Sequence, residues 1–145
     1  VWKLGDVDFA VEWDGFLEGA LAGDLHVFRG WFGDAANVFV GHLQREVEYL
    51  KRSRELSALP NLETGLRSQD PVMRYAAVRA TSKPTPAEVA QLSEAVQSES
   101  DWVIRRQMVL ALGRSGSPDG VSLLRDLALD PKANLYAAAT VSLAM

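Results

Sequence analysis

The sequence predicts an all-α fold: a solenoid of stacked helical hairpins, preceded by a segment of different composition. Three observations predict it. A pattern that opens on Asp70 returns at Asp101 and at Asp130, 31 and 29 residues apart. Within each copy the apolar residues fall at helical spacing. Turns containing Gly or Pro separate one apolar run from the next. A fixed period in this range marks units that cannot bury an apolar face alone and therefore stack on their neighbours.

Residues 1–34 differ in kind. They carry Trp2, Trp13 and Trp31, three of the four tryptophans, with Phe9, Phe16, Phe28 and Phe32 and six of the 11 glycines. A helix would place Phe9, Trp13, Phe16, Leu17, Ala20 and Leu21 on one face, with Leu25, Phe28 and Phe32 continuing onto a second. A β-hairpin would use the alternation of Val7, Phe9, Val11 and Trp13 with Asp8, Ala10 and Glu12, turning at Asp14-Gly15. The second arm of that hairpin lacks alternation, because Phe16 and Leu17 run together and Gly19 interrupts. The helix is therefore favoured and the hairpin remains the alternative. Gly15, Gly19 and Gly23 would each cost a helix about 1 kcal/mol relative to alanine, which close packing against another backbone would explain.

Asp34 is a good N-cap, and Phe39, Leu43, Val47 and Leu50 then place an amphipathic helix over Ala35 to about Arg52. Its basic end (Arg45, Lys51, Arg52, Arg54) suits the helix dipole. Leu56 to Arg67 reads as a second helix with Leu62 and Leu66 inward. The expected organisation is thus a cap over 1–34 and a solenoid over 35–145, with repeats at about 35–69, 70–100, 101–129 and an incomplete 130–145.

Each copy opens on aspartate, whose carboxylate accepts from the free N–H groups of the first helical turn. Proline follows at the first helical position in two copies, Pro71 and Pro131, where its missing N–H costs nothing. Met73, Ala77 and Ala80, then Ile104, Met108 and Ala111, mark the inward faces of the first helices. Ser82 to Pro86 is the turn to a second helix lined by Val89, Leu92 and Val96. Leu112 to Gly120 is the turn to another, lined by Val121, Leu124 and Leu127 or Ala128, and glycine there suits a left-handed residue just past a helix end.

Asp-Pro-x-apolar-Arg-x-x-Ala, then Ala-Leu-Gly, a Gly-containing turn and an apolar helix resembles the HEAT repeat, in particular the short bacterial form seen also in phycobilin lyase subunits. The second copy, Asp101 to Leu129, matches best. In the third, Asn134 stands where Arg74 and Arg105 stand. The resemblance covers residues from about 56 to 145 and implies a right-handed α-solenoid used as a binding surface. It also implies a structural ladder between repeats, carried by Asp70, Arg74, Asp101, Arg105 and Asp130. A scaffold of this kind does not by itself imply an activity.

Composition narrows the classes. With 48% apolar residues there is ample material for a core, and Cys 0 removes disulfides, cysteine nucleophiles and thiolate metal sites. The sequence has no run of apolar residues long enough to span a membrane, nor a recognisable signal peptide. The cytoplasm is the default expectation, although a chain opening on Val1 is compatible with a removed leader. Residues 1–50 hold 3 Lys/Arg and 9 Asp/Glu, a balance of −6; residues 51–145 hold 12 and 10, a balance of +2. A balance of +2 argues against nucleic acid, whose binders need a strongly basic face.

Candidate sites follow from the faces. No catalytic residue, metal or cofactor is expected. His42 and Glu46 lie four apart on one helix, a spacing two metal ligands can share. With only two histidines in the chain, a solvent-facing pair is the plainer expectation. The acidic cluster Asp6, Asp8, Glu12 and Asp14 fails as a calcium loop, because Ala10 and Val11 stand where an oxygen ligand and a glycine belong. The leading functional expectation is a non-enzymatic module that binds another protein through the exposed residues of its second helices: Gln91, Glu94, Leu123 and Asp126. The alternative is a ligand-handling or lyase-type subunit holding a small molecule near Trp13 and Trp31. Asp130 to Met145 supplies a first helix without its partner, leaving Leu135, Val141, Leu143 and Met145 poorly covered. A longer solenoid is expected there, or cover from another subunit.

Overall fold

The structure, a computed structural model, describes the backbone of residues 3–4, 7–8 and 37–129 and the side chains of residues 41–127 and 129. A short antiparallel ladder pairs β1 (Lys3–Leu4) with β2 (Val7–Asp8), in the register Lys3 opposite Asp8 and Leu4 opposite Val7. Leu4 is thus the partner of Val7 among the described residues, and the hairpin reading that turns at Asp14-Gly15 lies outside them. The helical reading of residues 9–32 lies outside the described residues.

Among the described residues six helices follow: α1 (Asn37–Arg54), α2 (Leu62–Leu66), α3 (Pro71–Ala80), α4 (Pro86–Ser98), α5 (Trp102–Ser115) and α6 (Pro118–Leu129). Their ends obey the local chemistry. The Asp70 and Asp101 side chains accept from the backbone N–H groups of Val72 and Val103, both at 2.9 Å. Thr85 and Glu88 close a reciprocal capping box at the start of α4. Gly116 ends α5 at φ 63°, the left-handed conformation that glycine adopts without cost. α2 is shorter than the Leu56–Arg67 helix expected, because Pro60 has no N–H to give and disfavours helical geometry at Leu59. Asn61 then caps the single turn that remains.

The helices stack as an α-solenoid. α3 packs on α1 and α5, while α2, α4 and α6 form a second layer in which each touches the next. Successive pairs are joined where α2 packs on α3 and α4 on α5. α1 also reaches past α3 to contact α5. The core runs between the layers, from Leu43, Leu50 and Leu62 through Tyr75 and Val78 to Leu92, Val96, Ile104, Met108, Leu112 and Leu124. Burial on α3 is wider than the stripe read from sequence: Val72, Tyr75, Ala76, Ala77 and Val78 are buried, Met73 is half-buried and Ala80 exposed. A helix contacted by α1, α2 and α5 loses most of its solvent face, so one-stripe periodicity underestimates it.

Close approach makes one glycine necessary. A Cβ on Gly65 would lie 2.2 Å from the Cβ of Ala77, so glycine is what lets α2 press onto α3.

Candidate functional surface and the polar cluster beneath the repeats

The layer of second helices carries the residues expected to meet a partner. Gln91 and Leu123 are half-buried, and Glu94 and Asp126, three residues further along their helices, are exposed. Leu123 packs partly against the core, so it is less free than an exposed leucine. A groove of about 260 Å³ separates α4 from α2; Gln91, Glu94 and Ala95 line one side, and Glu63, Leu66 and Arg67 the other. Gln91 Oε1 is buried and accepts no hydrogen bond among the described residues. Glu63 and Arg67 pair across one turn at 3.3 Å, but both are exposed, and such pairs contribute little.

The expectation of a solvent-facing His42–Glu46 pair is overturned. Glu46 is completely buried. Its Oε2 accepts from Tyr75 Oη and from Gln107 Nε2, each at 3.3 Å. Its Oε1 accepts from Arg106 Nη1 at 3.4 Å. Arg79 donates in turn to Tyr75 Oη at 3.5 Å. Burial of a carboxylate is tolerable only with donors of this kind around it. Burial also raises the Tyr75 pKa well above the ordinary phenol value, and the neighbouring Glu46 charge pushes the same way. The signal in the sequence was positional: Glu46 lies three residues after Leu43 and four before Leu50, on the apolar stripe itself.

His42 stacks on Trp102, ring centroids 4.5 Å apart and planes 24° from parallel. Its pKa is lowered from the ordinary 6.5, first by burial and then by Arg45, with Asp101 opposing. Asp101 is a shared acceptor. Besides capping α5, it takes a 2.6 Å bond from Tyr49 Oη and lies 3.6 Å from Arg45 Nη1. Burial, and then the bond to Asp101, raise the Tyr49 pKa.

The recurring arginines serve the joints between hairpins. Arg74 donates through Nη1 to the carbonyls of Ser68 and Gln69 at 2.9 and 3.2 Å, just beyond α2. Arg105 donates to the carbonyl of Val96, in the last turn of α4, at 3.2 Å. Both place a cation at the carbonyl end of the preceding helix, where the dipole favours it. Arg74 also grips Glu99 with two bonds, at 2.9 and 3.3 Å, rather than the aspartate four residues before it. Asp70 serves as the cap of α3. Trp13, Trp31 and Asp130 lie outside the described residues.

Among the described residues no group of three or more His, Asp or Glu side chains could hold a metal ion. Nor is any described helix long and apolar enough to cross a membrane. Comparison with known families gives a match to the family described as HEAT repeats, over residues 59–144. Comparison with curated proteins and with solved structures gives no match.

Proposed function

The chain belongs to the HEAT-repeat family, and from that premise we propose that it is a protein-interaction module that receives its partner on the layer of second helices. HEAT repeats commonly mediate contacts between proteins. The observation that carries the reading is the matched register of α4 and α6: Gln91 and Leu123 half-buried, Glu94 and Asp126 exposed. Two like positions on adjacent helices offer a repeated contact, and a groove opens beside the first of them. Two exposed carboxylates favour a partner that brings basic side chains, through electrostatic complementarity.

The test uses the exposed pair, because substituting Leu123 would also disturb packing. A photo-crosslinking residue at Glu94 or at Asp126, in the protein's own cells, should trap the same polypeptide. Glu94→Arg with Asp126→Arg should cut co-purification of that polypeptide at least tenfold while far-ultraviolet helicity is unchanged. Undiminished co-purification with both charges reversed would overturn the assignment.

A further inference from the structure

A larger groove, about 410 Å³, lies where the C-terminal turns of α1 and α3 meet the connection that leads to α2. Its floor is apolar: Leu50 and Ala76 are buried and Leu56 half-buried. Leu59 stands on its wall at 58% exposure, one of two exposed large apolar side chains among the described residues. Arg54 and Arg79 also line it, and both are exposed. Neither pairs with a carboxylate among the described residues. Arg79 makes the long bond to Tyr75 Oη already described, and Arg54 makes no side-chain hydrogen bond among these residues.

A cation in the last turn of a helix complements the dipole, which accounts for the sign of each charge. It does not account for two guanidinium groups, from different helices and with no carboxylate partner among the described residues, on one apolar groove. Guanidinium forks match carboxylates bidentately, and an arginine beside an apolar pocket is the usual composition of an interface anchor. The volume is at the scale of pockets that hold small ligands, about 300–1,000 Å³, enough for a large side chain with its neighbours. A nucleic acid would find two cations here and leave the apolar floor uncovered.

We propose that this groove docks an acidic peptide segment of a partner protein, one large apolar side chain resting on Leu50, Leu56, Leu59 and Ala76 and its neighbouring carboxylates on Arg54 and Arg79. The proposal is independent of the second-helix reading, since it concerns other helices and the opposite charge.

Panning a random dodecapeptide phage library against the whole chain tests it. Enriched peptides should carry two or more Asp or Glu around a Leu, Phe or Trp. A fluorescein-labelled enriched peptide should lose at least tenfold in affinity, by anisotropy, on R54E/R79E and a similar factor on Leu59→Ser. It should bind the E94R/D126R chain as it binds the unaltered one. R54E/R79E panned in its own right should enrich basic peptides, which shows that the groove persists in a folded variant. Three results would overturn the proposal: no acidic enrichment, equal binding of the acidic peptide to R54E/R79E, or tighter retention of a thymidine 20-mer than of any enriched peptide.

Discussion

Arg106 Nη1 lies 3.4 Å from Oε1 of Glu46, with side-chain exposures of 6% and 0%. The two residues are 60 positions apart in the chain, and their contact ties α1 to α5. A buried pair of this kind offers little net stability over an apolar replacement, because its attraction must first offset desolvation of both charges. Removing one member is a different matter, since the other stays behind in the same surroundings.

Glu46→Ala should therefore destabilise the chain by about 3 kcal/mol, because Arg106, Tyr75 and Gln107 all lose the acceptor they share. Equilibrium urea unfolding measures it. Glu46→Leu with Arg106→Met should recover most of that loss. A cost for Glu46→Ala no larger than that of an exposed position would mean that the cluster does not hold α1 in place.

Gly65→Ala sets two effects against each other. Helix propensity alone favours alanine by about 1 kcal/mol. The new Cβ would stand 2.2 Å from that of Ala77, and prying α2 from α3 should cost about 2 kcal/mol. The net change should be destabilising, and Ala77→Gly in the same chain should return part of it. A thermal midpoint that rises on Gly65→Ala would show that the helices part at no cost.

His42 makes stability depend on pH with a definite sign. Burial and Arg45 hold its pKa below 6.5 in the folded chain, so the unfolded chain takes up the proton first as pH falls. The contribution is complete above the unfolded value and declines below it, towards the depressed folded value. His42→Phe keeps a ring against Trp102 and removes the proton. The urea midpoint of the unaltered chain should fall relative to His42→Phe between pH 7 and pH 5, and parallel profiles would contradict the assignment.

What could be read beforehand was what depends on near neighbours in sequence. The caps of α3 and α5 at Asp70 and Asp101, the inward set Val89, Leu92 and Val96, and the left-handed Gly116 each follow from a few adjacent residues. The short α2 is also legible in Pro60, which disfavours helix at the residue before it. The partners of Glu46 were not. Arg106 and Gln107 belong to α5, which is contacted by α1, α3, α4 and α6. A helix covered on so many sides buries polar residues whatever their periodicity, and which group they then meet is decided by distant chain. The bond of Arg74 to Glu99 was hidden for the same reason, since the two residues are 25 positions apart in the chain.

The reach of α1 past α3 to α5 has a consequence for how this array comes apart. Units that touch only their immediate neighbours can fray from an end, one losing order while the rest keep theirs. Here α3 cannot melt without removing the platform under α1, and α1 cannot lift without releasing Glu46 and Tyr49 from α5. The described helices at this end are thus one cooperative block, with contacts of longer sequence range than an open row of hairpins would have.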